Sequence, residues 1–176
     1  ELEPTGTEPL LAGDILSWMD VIAAGFERAS NLQMLCARAA TAFRALTGFD
    51  RVMVYRFLDD EAGRVVGEDR DPALGTFMHH HFPAADIPRQ ARALYVRNRA
   101  RVIPDVGYSP APIRPAQYSG TDLSDVSVRS VSPIHVDYLR NMDVGASASI
   151  SIVKDGVLWG LIACHHRTAK LMPIDI

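Results

Sequence analysis

Val144–His166 reads VGASASISIVKDGVLWGLIACHH, and its alternation decides the fold. From Val144 to Val153, Ser147, Ser149 and Ser151 fall on one side of an extended chain and Ala146, Ala148, Ile150 and Ile152 on the other, a period of two. Val157–His166 continues as a second strand with Trp159, Leu161, Ala163 and His165 sharing a side, and Lys154-Asp155-Gly156 between them forms a compact hairpin turn. The serine row has two readings, a face turned to water or, beside a histidine, the wall of a polar pocket.

Outward from this hairpin the same logic finds a second one. Arg51–Leu58 (RVMVYRFL) is β-branched and aromatic, Asp59–Gly63 is turn-like, and Arg64–Glu68 (RVVGE) returns as the partner strand. Helical periodicity precedes it. Ile15, Met19, Ile22, Ala23 and Phe26 follow an expected N-cap at Asp14; Asn31 starts a second helix with the stripe Leu32, Leu35, Cys36, Ala39, Ala40 and Phe43, stopped by Gly48. Further helices are expected over Ile87–Arg99, with Asp86 as N-cap and Pro88 in the first turn, and over Pro133–Met142. A short strand is expected at Val102–Val106, and an ordered, proline-rich loop at Gly107–Gln117. The layout is α+β: a mostly antiparallel central sheet flanked by helices.

The chain has 176 residues, 48% of them hydrophobic and 22% charged, which fits one globular core and excludes disordered and collagen-like classes. Its longest nearly apolar run, Val157–Cys164, falls far short of the about 20 residues of a membrane span. Net charge of −3 argues against nucleic acid as a partner. Cys36 and Cys164 cannot form a disulfide framework and read as buried free thiols of a reducing, cytoplasmic compartment. Of 18 basic residues only Lys154 and Lys170 are lysines; the arginine excess suits bidentate carboxylate or phosphate pairing, and genomic base composition produces the same bias.

Catalytic and metal motifs are missing. His79–His81 and His165–His166 are runs whose neighbours point to opposite faces, and C-x-x-C, H-E-x-x-H, G-x-S-x-G, P-loop and G-x-G-x-x-G patterns are absent, so neither an enzyme nor a metal site is expected. On the last expected helix His135, Tyr138, Leu139 and Met142 share a face, where His135 is either a satisfied core residue or a ligand-facing one. The run His81–Pro88 places aromatic and apolar groups beside Asp86, which reads equally as an N-cap in a tight turn. What remains suits a flat, largely apolar ligand carrying carboxylates.

Four segments in register, DRVMVYRF (Asp50–Phe57), HFPAADIPRQARALYVRNRARVIPD (His81–Asp105), DLSDVSVRSVSPIHVDYLRNM (Asp122–Met142) and GVLWGLIACHH (Gly156–His166), resemble the chromophore-binding GAF domain of bacterial phytochromes. The resemblance implies a GAF fold and a bilin, biliverdin in the bacterial branch, whose light-driven isomerisation signals to an output module outside this chain. It implies that Asp86 offers its carbonyl to the pyrrole N–H groups and that His135 sits over the pyrroles. Arg101 and Arg129 would pair with the propionates, with Ser132, Ser147 and Ser149 adding hydroxyls. Tyr55, Phe77, Phe82, Tyr95 and Tyr138, with Met53, Ile87 and Pro88, would form the walls, and His165 would hold the carbonyl of the rotating terminal ring.

The same resemblance implies PAS and PHY domains as partners, with Glu1–Gly13 the connector from the PAS domain and residues 14–176 the GAF domain. It also implies pairing of two copies through the N-terminal helices and a parent of the sensor histidine kinase type. Departures from the family pattern are specific. Ile134 stands where plant and cyanobacterial members carry the attachment cysteine, and neither Cys36 nor Cys164 matches an attachment position, so no covalent bond through this chain is expected. PAAD replaces PASD. FMHHHF replaces FLGQHF and adds titratable histidines near the expected pocket; NMDVGAS replaces a glycine-bearing turn with Asp143, where strain is expected. A light-independent GAF sensor of redox state or another small molecule is the competing function class.

Overall fold

The computed structural model describes residues 12–126 and 129–172, so most of the expected connector Glu1–Gly13 lies outside the described residues. Helices α1 (Ala12–Glu27) and α2 (Leu32–Thr47) lead into strands β1 (Arg51–Phe57) and β2 (Gly63–Arg70). A two-residue strand β3 (His81–Phe82), helix α3 (Arg89–Arg97), strand β4 (Ala100–Ile103), helix α4 (Pro133–Asn141) and strands β5 (Ala146–Lys154) and β6 (Val157–His166) follow. The six strands form one antiparallel sheet in the order β3-β2-β1-β6-β5-β4.

The caps of α2 are those its sequence asks for. The Asn31 side chain accepts the Met34 N–H at 2.8 Å, and Gly48 closes the helix at φ 64°, with its N–H on the Arg44 carbonyl. Cys36 and Ala40 of α2 bury against Val52, Val54, Ala146, Ala148, Ile162 and Cys164 on one face of the sheet, forming the main core. That contact requires Gly67, where a β-carbon would stand 2.6 Å from the Cys36 backbone.

Several expected boundaries move, each for a local reason. Asp14 lies in the first turn of α1 rather than capping it, and Met19 of the expected buried stripe is 60% exposed. Asp86 does not cap α3. Ile87 precedes a proline and is held out of the helical region (φ −130°, ψ 83°), so Asp86 ends a separate 3₁₀ turn over Ala84–Asp86 and the helix begins after Pro88. β4 occupies Ala100–Ile103 rather than Val102–Val106, because Pro104 has no N–H to continue the ladder. Trp159 leaves the face shared by Leu161, Ala163 and His165. The register of β5 with β6 passes from Ile152↔Gly160 to Val153↔Leu158, leaving Trp159 as the extra residue of a bulge that turns it to the α2 face, near Arg56.

Candidate functional site

On the face away from α2 the sheet presents cross-strand rows. Arg51, His165, Ser147 and Ile103 align across β1, β6, β5 and β4; Met53, Ala163, Ser149 and Arg101 form the next row, and Tyr55, Leu161 and Ser151 the third. Paired residues share a face, so period two in each strand delivers this floor. Above it stand α4, α3 and the turn before α3, enclosing a cavity of about 120 Å³. The cavity adjoins a groove of about 790 Å³, with Val102, Ile103, Arg129 and Val131 common to both. At Met142 and His165 it adjoins a cleft of about 230 Å³.

The pocket reading of the serine row describes two of its members, and the third follows neither reading. Ser147 and Ser149 line the cavity, whereas the Ser151 hydroxyl donates to the Tyr95 carbonyl at 2.7 Å and pins α3 to the sheet. Arg92 fixes the neighbouring turn: its Nε donates to the Ile87 carbonyl at 2.8 Å and its guanidinium lies 4.5 Å from the Phe57 ring centroid. The aromatic wall is continuous, with Tyr55 against Phe82 (5.8 Å between centroids) and Phe82 against Phe77 (6.2 Å). Across the cavity His135 stacks on Tyr138, 6.0 Å apart and inclined by 15°.

Charge is distributed unequally. Arg101 Nη2 donates to the Ser124 carbonyl at 3.1 Å, and Arg101 and Arg129 make no carboxylate pair among the described residues. Burial first, then the nearby charge of Arg101, pulls the Arg129 pKa down, which describes cations brought together without an anion. Burial and then Arg129 lower the pKa of His135, so its imidazole is favoured neutral. His165 is pushed down to about 3 by burial, then by Arg51 and His135, and its Nδ1 is buried with no hydrogen-bond partner in the described structure. Burial and then Asp86 push the Tyr138 phenol up to about 12.

Of the residues expected at the site, Met53, Tyr55, Phe82, Asp86, Ile87 and Tyr95 line the cavity, as do Arg101, Arg129, His135, Tyr138, Ser147, Ser149 and His165. Four do not. Phe77 borders the adjoining cleft, Pro88 and Ser132 are the residues immediately before α3 and α4, and Ile134 is 82% exposed. Val102, Ile103, Val131, Leu139, Met142, Leu161 and Ala163 line the cavity without having been singled out as site residues. Leu139 and Met142 share the helical stripe of His135, and Leu161 and Ala163 the strand face of His165, so periodicity carried their signal; Val131 sits in a loop and carried none. The added histidines His79 and His80 are exposed, as is the neighbouring His81, and none of the three lines these hollows. Cys36 and Cys164 are buried free thiols in the core beneath α2, on the other face of the sheet. Asp143 adopts φ 57°, the strained turn its sequence announced.

A GAF domain model matches residues 31–176, and the chain belongs to that family. Within it the relatives are phytochromes. The chain is 53% identical over 144 residues to a bacteriophytochrome of Xanthomonas campestris pv. campestris, covering 80% of this chain and 23% of the relative. It is 49% identical over 146 residues to a bacteriophytochrome of Pseudomonas aeruginosa, covering 81% and 20%. The chain therefore spans about a fifth of the length of the curated relatives it matches. The crystal structure of the chromophore-binding domain of an unusual bacteriophytochrome from R. palustris superposes with a TM-score of 0.87 at 41% identity, covering 96% of this chain and 57% of that one. Both the fold class and the family drawn from the sequence motifs are thereby borne out.

Proposed function

We propose that this chain is the bilin-binding photosensory domain of a red/far-red light receptor and that its pigment is biliverdin. The observation that carries the reading is the pairing, in one cavity, of two arginines without carboxylate partners and a histidine with an orphaned ring nitrogen, joined by aromatic walls. A linear tetrapyrrole fits that donor set: two carboxylate arms, polar atoms at its centre and ends, and flat apolar faces. When bound, the pigment supplies light absorption and isomerisation about a double bond.

The residues of the chain then have distinct tasks. Arg101 and Arg129 hold carboxylates with forked, permanently charged donors, and Ser147 and Ser149 add hydroxyl donors to that end. Asp86, with its backbone fixed in the turn that Arg92 braces, offers an acceptor to the pigment's N–H groups. Favoured neutral, His135 keeps one nitrogen free to accept a hydrogen bond and avoids adding a positive charge near Arg129. His165 meets the terminal ring with a breakable hydrogen bond. Tyr55, Phe82, Tyr95 and Tyr138 exclude water. Pro88 and Ser132 contribute through the starts of α3 and α4, Phe77 through the wall, and Ile134 marks a position without a thiol.

Residues 14–176 act as the sensor unit and Glu1–Gly13 as the connector from an upstream PAS domain. Downstream, a PHY domain and an output module, histidine kinase in type, complete a cytoplasmic receptor that pairs with a second copy. The relatives' greater length and the exposed Leu16, Met19 and Val21 of α1 support this arrangement. No helix among the described residues is long and apolar enough to cross a membrane.

The test is a visible spectrum of the purified protein with added biliverdin. A narrow far-red band, weakened in Asp86→Ala and His135→Ala, is expected; an unchanged free-pigment spectrum overturns the reading. Denaturation releases all pigment, since neither cysteine reaches the cavity.

A further inference from the structure

We propose that the buried Arg51–Glu68 pair is a positioning device of this site, holding Phe77 and the Gly75–Met78 segment against the end of the cavity where His165 stands. The inference rests on the bilin-site reading for its purpose, and on geometry for its existence. Arg51 and Glu68 have side chains only 7% and 4% exposed, and Arg51 Nε lies 3.1 Å from Glu68 Oε1. A bulge places them there. The register of β1 with β2 shifts between Val54 and Tyr55, so Val65 lies opposite Tyr55 while Glu68 lies opposite Met53, both on the cavity face.

Each partner then grips the same segment. Glu68 accepts the Phe77 N–H at 3.0 and 3.3 Å and the Thr76 hydroxyl; Arg51 donates to the Gly75 carbonyl and carries its guanidinium 4.1 Å from the centroid of the Phe77 ring. Phe77 in turn packs on Phe82, which packs on Tyr55. Removing Glu68 leaves Arg51 buried without a carboxylate, and removing Arg51 leaves Glu68 only the longer pair with Arg70 at 3.7 Å, so the device is two-sided but unequal.

The pair also sets the charge beside His165. Arg51 is its cross-strand partner on β1, His135 faces it from α4, and Ser147 from β5 brings no charge. Asp50, Asp143, His166 and Arg167 share the adjoining cleft. With Arg51 in place a proton on His165 meets a neighbouring cation; without it the same proton meets a Glu68 carboxylate whose remaining ion-pair partner is Arg70, opposite Arg51 on β2, at 3.7 Å.

The experiment uses the protein without pigment, so its outcome is independent of whether biliverdin binds. In histidine-labelled protein followed by NMR, Arg51→Met moves the His165 titration midpoint up by about one pH unit or more, and Arg51→Lys leaves it near wild type. In amide exchange, Glu68→Ala speeds exchange of the Phe77 N–H by about tenfold or more, and Glu68→Gln, which keeps an acceptor, recovers most of the protection. Unchanged His165 titration in Arg51→Met, or unchanged Phe77 exchange in Glu68→Ala, overturns the proposal. If Arg51→Met does not fold, the Glu68 pair of variants decides alone.

Discussion

The phenol oxygen of Tyr55 occupies the space directly above Gly63, so that a β-carbon on that glycine would overlap it. Gly63 opens β2 opposite Phe57, and the two-residue offset brings the Tyr55 ring across it and against Phe82. Its glycine is therefore required by space rather than by backbone conformation. Gly63→Ala forces Tyr55 off its position, at a cost of about 1–3 kcal/mol. Because Tyr55 is a cavity wall, the substitution also broadens and weakens the far-red band of protein mixed with biliverdin. A variant with wild-type urea midpoint and wild-type spectrum refutes this dependence.

Arg101 and Arg129 present the opposite case, a feature that lowers the stability of the empty fold. Two guanidiniums without a carboxylate repel, and burial of Arg129 adds to the cost. Arg129→Ala thus raises the unfolding free energy of the pigment-free protein or leaves it level, while weakening biliverdin binding by about tenfold to a hundredfold, the worth of a charge-assisted hydrogen bond. Denaturant unfolding and a fluorescence-quenching titration measure the two effects. Loss of stability together with unchanged affinity would make Arg129 an ordinary structural cation.

Much of this site was legible in the sequence because strands convert period two directly into a shared face. Once Val144–His166 is read as a hairpin, Ser147, Ser149 and His165 must lie together, and the ladder of β1 with β6 brings Met53 and Tyr55 beside them. Helix α4 gave His135 and Tyr138 by the same reasoning at period 3.6. Roles of single residues came from the family motifs, not from spacing. What escaped was non-periodic. The Trp159 bulge reverses a face without any marker in composition, Val131 enters from a loop, and the Arg51–Glu68 pair depends on a register shift that depends on both strands at once.

Asp143 ends α4 in the left-handed region, φ 57°, with its N–H on the Arg140 carbonyl at 3.0 Å and the Val144 N–H on the Leu139 carbonyl at 3.0 Å. This is the position after a helix where glycine meets no β-carbon penalty. Asp143→Gly stabilises the fold by about 0.5–1 kcal/mol, net of the extra freedom glycine has when unfolded. Urea denaturation at neutral pH measures it, and a destabilised variant shows that the carboxylate's proximity to Arg167 outweighs the strain.

Acid weakens this fold before its carboxylates titrate. His165, held down to about 3 by burial, Arg51 and His135, binds no proton in the folded state through a range where an unfolded histidine, near 6.5, does. A lowered histidine pKa contributes stability that is complete above about pH 6.5 and is lost as pH falls toward the folded value, since the unfolded chain takes up the proton the folded one refuses. His135 is lowered in the same direction, by burial and then Arg129, and adds to the slope. Urea unfolding at stepped pH between 7.5 and 5 should show stability falling below pH 6.5 by about 1.4 kcal/mol per pH unit for each refused proton. His165→Asn removes one proton's share of that slope. Stability that stays level or rises toward pH 5 means that both imidazoles accept protons inside the fold, and the neutral cavity histidines are then wrong.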